Sequence, residues 1–480
     1  MKAICLALLL SVESLGAGTT IAVPAGGDLQ AAIDRAAPGD TIELQAGATY
    51  VGHFTLPKKD GDSVITIRTA GPALVADNHR VTPADATGFA KLRAANYEPV
   101  LQTAAGAHHW RLLLLELQGA AEGDRELLAL GDGSSFQASL ADVPHDLVVD
   151  RCYIHGDPVT GQRRCVALQS AKTSVTNSYI SDCKRIGAEA QAIAGWNGPG
   201  PFVITNNYLE GAGENIMFGG ADPAIAGLVP SDITIAGNTI AKPAAWRGEK
   251  WEVKNLLELK NARRVTITGN QIAYNWMAAQ GGYAVLLTVR NQSGNCPWCE
   301  VSEVTFEHNL VQHASGGVSI LGTDNNHPSK QTHAVVVRSN VFTDLDNKRW
   351  GGNGYFLLIT GGPRDVTIDH NTIVQEHGAG IIQVEGPPVA NFAFTNNLAR
   401  HQSYGIIGTD HAPGADTIAT YFPGSTITGN IFAGAEGRRY PSGNRSVGDI
   451  CDELVSCDHG DYRLKSSTGA GATLPAEAQP

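Results

Sequence analysis

The stretch Asn255-Leu256-Leu257-Glu258-Leu259-Lys260-Asn261-Ala262-Arg263-Arg264-Val265-Thr266-Ile267-Thr268-Gly269-Asn270-Gln271-Ile272 decides the fold. Leu257 and Leu259 alternate with Glu258 and Lys260, and Val265 and Ile267 alternate with Thr266 and Thr268. Each segment therefore has one apolar and one wet face, the mark of a half-buried strand. A turn over Asn261 to Arg264 joins them, Gly269-Asn270 turns the chain again, and Ile272 leads it back inside. The phrase reads as one rung of a coil.

The same phrase recurs. Its asparagine stands at Asn207, Asn238, Asn270, Asn309, Asn340, Asn371, Asn397 and Asn430, with steps of 31, 32, 39, 31, 31, 26 and 33 residues. Cys152 and Ser178 hold the equivalent place upstream. Such a period marks a solenoid or a propeller, and most steps are too short for the four strands of a propeller blade. A further strand lies 10–20 residues after the asparagine in most repeats, for example Ile216-Met217-Phe218, Val285 to Val289, Val318 to Ile320 and Ile382 to Val384. Stacked rungs set equivalent residues about 4.8 Å apart, so the asparagines should form one internal hydrogen-bonded column. That gives them a structural task rather than a catalytic one.

These repeats resemble the right-handed parallel β-helix proteins of the pectin-lyase-like superfamily over nearly the whole mature chain. The resemblance implies an all-β, single-domain coil, residues 18–465, of about ten rungs. Asp28 to Asp34 resembles the amphipathic helix that caps such a coil, with Asp28 as its N-cap and Ala37-Pro38-Gly39-Asp40 as its stop. Asp461 to Lys465 resembles the final strand, and Ser466 to Pro480 reads as a loose tail.

Composition bounds the function. Hydrophobic residues at 42% and charged residues at 17% fit a large folded core, and 55 glycines fit many tight turns. A net charge of −12 disfavours nucleic acid as a partner, though not an acidic ligand held by a local basic cluster. Residues 1–17, with Lys2 before the apolar run Ala3 to Leu10, read as a secretory signal peptide, and no stretch is long enough to span a membrane. A secreted or periplasmic monomer is expected. Of the eight cysteines, Cys451 with Cys457, Cys296 with Cys299, and Cys165 with Cys183 are candidate pairs, and Cys152 reads as a buried thiol.

Ligands of a coil must use outward positions and the loops beside them. Glu258 and Lys260 point outward, as do Leu286, Thr288 and Arg290 one rung later. Aligning Leu259 with Val289 puts Lys260 beside Arg290 and Glu258 beside Thr288. Two neighbouring cations on a flat sheet suit an anionic substrate. β-Elimination of a uronate polymer needs its carboxylate neutralised and a base for the adjacent proton. Lys260 is the candidate base, its neutral form favoured by the neighbouring cation, and Arg290 the carboxylate clamp. This arrangement resembles the chondroitinase-B and alginate-lyase group, which uses a Lys and an Arg on neighbouring rungs. There, acidic calcium ligands shortly precede the lysine. Here those places hold Val253 and Asn255, which leaves Glu214, Asn215 and Asp222 as candidates for a calcium site.

Gln191, Trp196, Asn215, Trp246, Trp251, Thr288, Asn291 and Trp298 are the candidate substrate-binding residues. Aromatic faces suit sugar rings, and the insertions Ala241 to Lys254, Asn291 to Glu300 and Thr323 to Thr332 border the same rungs. Two other functions fit the scaffold. A glycoside hydrolase would need facing carboxyls, with Glu258 and either Glu214 or Asp222 as the grouping. A non-catalytic glycan-binding coil would leave Glu258, Lys260 and Arg290 as a solvated ion-pair group.

Overall fold

The computed structural model describes residues 18–71, 75–435, 439–457, 461–465 and 468–474. The expected signal peptide lies outside them. Three parallel sheets of fourteen, twelve and fourteen strands run along the coil, and each complete rung gives one strand to each sheet. The fold is a parallel β-helix. In the opening phrase the three strands are Asn255–Leu259, Ala262–Thr268 and Gln271–Asn275. The coil is longer than the ten rungs expected, because the first four, from Thr20–Val23 to His108–Leu113, lie before the first ladder position at Cys152.

Inward residues stack rung on rung. Ile216, Leu257, Val285, Val318, Leu357 and Ile382 are register partners in the twelve-stranded sheet, and all are buried in one continuous core. Each such side chain contributes about 2 kcal/mol by leaving water. Leu256, read from the alternation as an outward position, also lies in that core.

The asparagine column forms as expected. Asn238 donates its backbone N–H and Nδ2 to Asn270 Oδ1 at 2.9 and 3.0 Å, and Asn270 does the same to Asn309 at 2.9 Å each. The pattern runs from Cys152 through Ser178 and Asn207 to Asn430, and on to Asn444. The residue before each ladder position adopts a left-handed backbone, such as Gly237 (φ 63°), Gly269 (φ 64°) and His308 (φ 55°). Glycine takes that conformation without steric cost, which explains the Gly-Asn signature of the central rungs.

The helix Leu29–Arg35 closes the N-terminal end, with Asp28 Oδ1 accepting from Ala31 N–H at 2.9 Å. Leu29, Ala32 and Ile33 are buried beneath it. The C-terminal end departs from expectation. Asp461–Leu464 pairs antiparallel with Leu454–Ser456 instead of adding a parallel rung strand. Residues 468–474, expected to be loose, pack along the coil: Ala472 exchanges two hydrogen bonds with Thr372 Oγ1, and Ala470, Ala472 and Leu474 are buried. The small side chains that suggested looseness are what lets the segment lie flat. Cys165–Cys183, Cys296–Cys299 and Cys451–Cys457 form disulfides, and Cys152 is a buried free thiol.

Candidate active site

The outer face of the twelve-stranded sheet carries a hollow of about 330 Å³ lined by Glu258, Lys260, Gln280, Tyr283, Leu286, Thr288, Arg290, Ser319 and Leu358, among others. Lys260 and Arg290 thus share one hollow, but the register differs from the expected one. Leu259 pairs with Leu287, not Val289, which sets Glu258 opposite Leu286. Arg290 lies beyond the strand, and its N–H donates to the Lys260 carbonyl at 2.9 Å.

Each cation is held by an anion on a fixed element. Lys260 Nζ lies 3.6 Å from Glu258 Oε1. Arg290 Nη1 donates to Asp324 Oδ1 at 2.8 Å and also to Asn325 Oδ1. Asp324 in turn accepts from the N–H groups of Asn291 and Asn326, and with Arg290 these hold its pKa below the usual carboxylate range, although burial opposes them. Glu258 is no solvated surface group: it is 1% exposed, and accepts from Thr288 Oγ1 and Asn255 Nδ2 at 3.2 Å each.

Behind the hollow lies a charged cluster whose centre is sealed from solvent. Glu214 is 0% exposed, with Oε2 accepting from Gln191 Nε2 at 2.8 Å and Oε1 3.7 Å from Lys254 Nζ. Burial pushes the Glu214 carboxyl up, and the neighbouring Glu258 carboxylate pushes it further, to about 7. Lys254 also pairs with Glu189. Burial works against its ammonium, but Glu214 and Glu189 outweigh it and raise the pKa. Lys242, 1% exposed, sends Nζ to Gly211 O (2.6 Å), Asn215 Oδ1 (2.9 Å), Asn255 O (2.9 Å) and Gly213 O (3.3 Å). Burial lowers its pKa, with Glu214 opposing. All four neighbours accept only, so the ammonium form fits this nest.

Most other residues expected to bind substrate stand elsewhere. Of them, Thr288 alone lines the hollow. Gln191 and Asn215 are buried in the charged cluster. Trp246 joins Ala212, Val253, Trp276 and Trp350 in an apolar cluster, with Trp251 packed against it and the Lys184 ammonium 5.2 and 5.1 Å from the Trp246 and Trp251 rings. Asn291 anchors the disulfide loop through Cys296 N–H and Pro328 O, and Trp298 Nε1 donates to Leu228 O. Trp196 lines a separate cleft on the same sheet, with Gln102, Glu126, Phe136, Ala167 and Gln169. These aromatic rings satisfy their loops before any ligand arrives.

Calcium does not fit the residues present. Among the described residues no group of three or more His, Cys, Asp or Glu side chains is placed to hold a metal ion. Asp222 Oδ2 accepts from the Ser293 and Asn295 N–H groups, Glu214 is engaged by Gln191 and Lys254, and Asn215 Oδ1 by Lys242.

Sequence reasoning missed Lys242, Lys254, Asp324, Gln280 and Tyr283. Three of them, Lys242, Lys254 and Asp324, sit in the loop insertions flanking the site, which was the available signal. Nothing local to Lys242 announces a wholly buried ammonium, since a long side chain reaches its partners through space.

No protein-family model and no curated protein matches the sequence. Several solved structures match in fold. The PL6 family alginate lyase AlyGC superposes with a TM-score of 0.60 at 15% identity, over 96% of this chain and 58% of that one. The catalytic unit of a GH87 α-1,3-glucanase from Streptomyces thermodiastaticus gives 0.55 at 16%, over 88% and 69%. A mannuronic acid specific polysaccharide family 6 lyase from human gut microbiota gives 0.54 at 14%, over 89% and 91%. The chain spans less than two thirds of the first of these.

Proposed function

We propose that the protein is a secreted polysaccharide lyase that cleaves an acidic, uronate-containing polysaccharide by β-elimination. The observation that carries this reading is the hollow itself. It brings two cations together, Lys260 and Arg290, while Glu258 is the one carboxyl among the described residues that line it. In this reading Arg290, oriented by Asp324, binds the uronate carboxylate through its planar fork. Lys260, in its neutral form, takes the proton from the carbon beside that carboxylate. The electron pair released forms the new carbon–carbon double bond as the glycosidic C–O bond breaks, and the leaving oxygen takes up a proton. Arg290 lies against the charge that develops on the carboxylate, where a fixed cation counts most. Thr288 and Asn255 hold Glu258, which in turn fixes the Lys260 ammonium between turnovers.

A hydrolase is less well supported. It needs two carboxyls open to the substrate on either side of the scissile bond. Glu214, the nearest partner for Glu258, is sealed from solvent, and Asp222 is bound to the disulfide loop. Three disulfides support an oxidising compartment and hence export. Lyases of this fold act on alginate, which makes alginate the first polymer to try.

The test is ultraviolet absorbance of the unsaturated product during incubation with alginate, pectate and glycosaminoglycans. A rise on one polymer that drops at least about 10²-fold in Lys260→Ala supports the assignment. A flat trace with the wild-type protein on every uronate polymer, or an undiminished rise in the variant, would sink it.

A further inference from the structure

We propose that the oxygen nest around Lys242 is a cation site that the chain fills with its own ammonium, so that the adjoining hollow requires no divalent metal. The nest has the chemistry of a hard-cation shell: three backbone carbonyls, Gly211 O, Gly213 O and Asn255 O, and one amide oxygen, Asn215 Oδ1. The orientation of the Asn215 amide is fixed, because its Nδ2 donates to Leu209 O and Ala241 O at 2.7 and 2.8 Å. Besides Lys242 Nζ, the backbone N–H groups of Asn255 and Lys254 donate to Gly213 O, at 3.1 and 3.3 Å.

Charge balance points the same way. Three carboxyls, Glu189, Glu214 and Glu258, face three ammonium groups, Lys242, Lys254 and Lys260, through ion pairs or the shared field of the cluster. A divalent ion would bring two further charges into a cluster already neutral, where burial makes any excess costly. The nest also ties two rungs together. Gly211, Gly213 and Asn215 belong to one rung and Asn255 to the next, and Asn255 Nδ2 reaches Glu258 in the hollow. Lys242 is therefore a positioning residue for Glu258 and Lys260, acting through Asn255.

The inference bears on the lyase reading, but thermal unfolding tests it without any assay of cleavage. Wild-type protein is treated with a chelator, and its Tm is measured before and after adding millimolar calcium; no change is expected. Lys242→Ala empties the nest, lowers Tm by roughly 3–5 °C, and regains it with millimolar calcium or with methylammonium, which replaces the lost ammonium. Lys242→Met, which keeps the nest filled by an apolar chain, gains nothing from either cation. If Lys242→Ala does not fold alone, it is refolded in methylammonium, and recovery of native circular dichroism is the expected result. A wild-type Tm that rises by several degrees with calcium overturns the proposal. So does a Lys242→Ala variant, folded or refolding, that is indifferent to both cations. Absence of eliminative cleavage in the wild type would count against the lyase reading and leave these thermal outcomes standing.

Discussion

Two polar arrays cross the rungs of this coil, and they are built on opposite principles. The asparagine column is neutral, periodic and fully satisfied: every Oδ1 from Asn207 to Asn444 accepts from the rung before it, and none of these atoms is left without a partner. The cluster behind the hollow is charged and aperiodic, and Glu214 Oε1, Asn255 Oδ1 and Asn275 Oδ1 lack hydrogen bonds. Buried polar groups kept for stability are satisfied, because an orphan costs as much as a good bond contributes. Groups held in strained electrostatic balance signal a task other than holding the fold. The contrast teaches where to look on a scaffold whose every rung is otherwise alike.

The largest effect should come from breaking the column at its centre. Asn270→Ala removes the acceptor for Asn238 and the Nδ2 donor to Asn309 Oδ1 and Ile235 O, and leaves buried amides unpaired. A loss of about 3–4 kcal/mol is expected in denaturant unfolding; a loss below about 1 kcal/mol would deny the column its structural role. In the charged cluster the isosteric Glu214→Gln should act on pH dependence instead. A carboxyl raised in the folded state keeps a proton that the unfolded chain has already released. Wild-type stability therefore declines as pH rises from the ordinary 4.5 to about 7. That slope, on the order of 2 kcal/mol, should vanish in the variant's unfolding free energies across this range; identical slopes would refute it. The smallest effect belongs to the ladder's last member. Asn444 accepts from Asn430 and donates to Ile427 O and Pro441 O, but it is half-exposed and water can replace it, so Asn444→Ala should cost about 1 kcal/mol, separating edge from centre in the same assay.

The sequence made the column legible because asparagine recurs at one place in a phrase whose apolar alternation fixes the faces. It made the hollow legible only in part. Val285, Leu287 and Val289 are equally good inward residues, so a slip of two keeps every side chain on its proper face while changing all of its neighbours. Lys260 and Arg290 do border one hollow, whereas the strand pairing was misread: Glu258 stands opposite Leu286, not Thr288. The tryptophans misled for a different reason, since an insertion large enough to border a site also needs a core of its own, and Trp246, Trp276 and Trp350 supply it. Lys242 was invisible because its burial depends on carbonyls from two rungs, which no local pattern encodes.

The column has one more consequence. The step from Asn270 to Asn309 spans 39 residues and that from Asn371 to Asn397 spans 26, yet the backbone bond to the next amide is 2.9 Å in both. Loop length and rung spacing are thus mechanically uncoupled. A segment can be lengthened, shortened or exchanged at the rim of the hollow while the staples on either side keep the coil in register. On such a chassis new substrate preference can arise by insertion at the rim, with the sheet beneath left as it was.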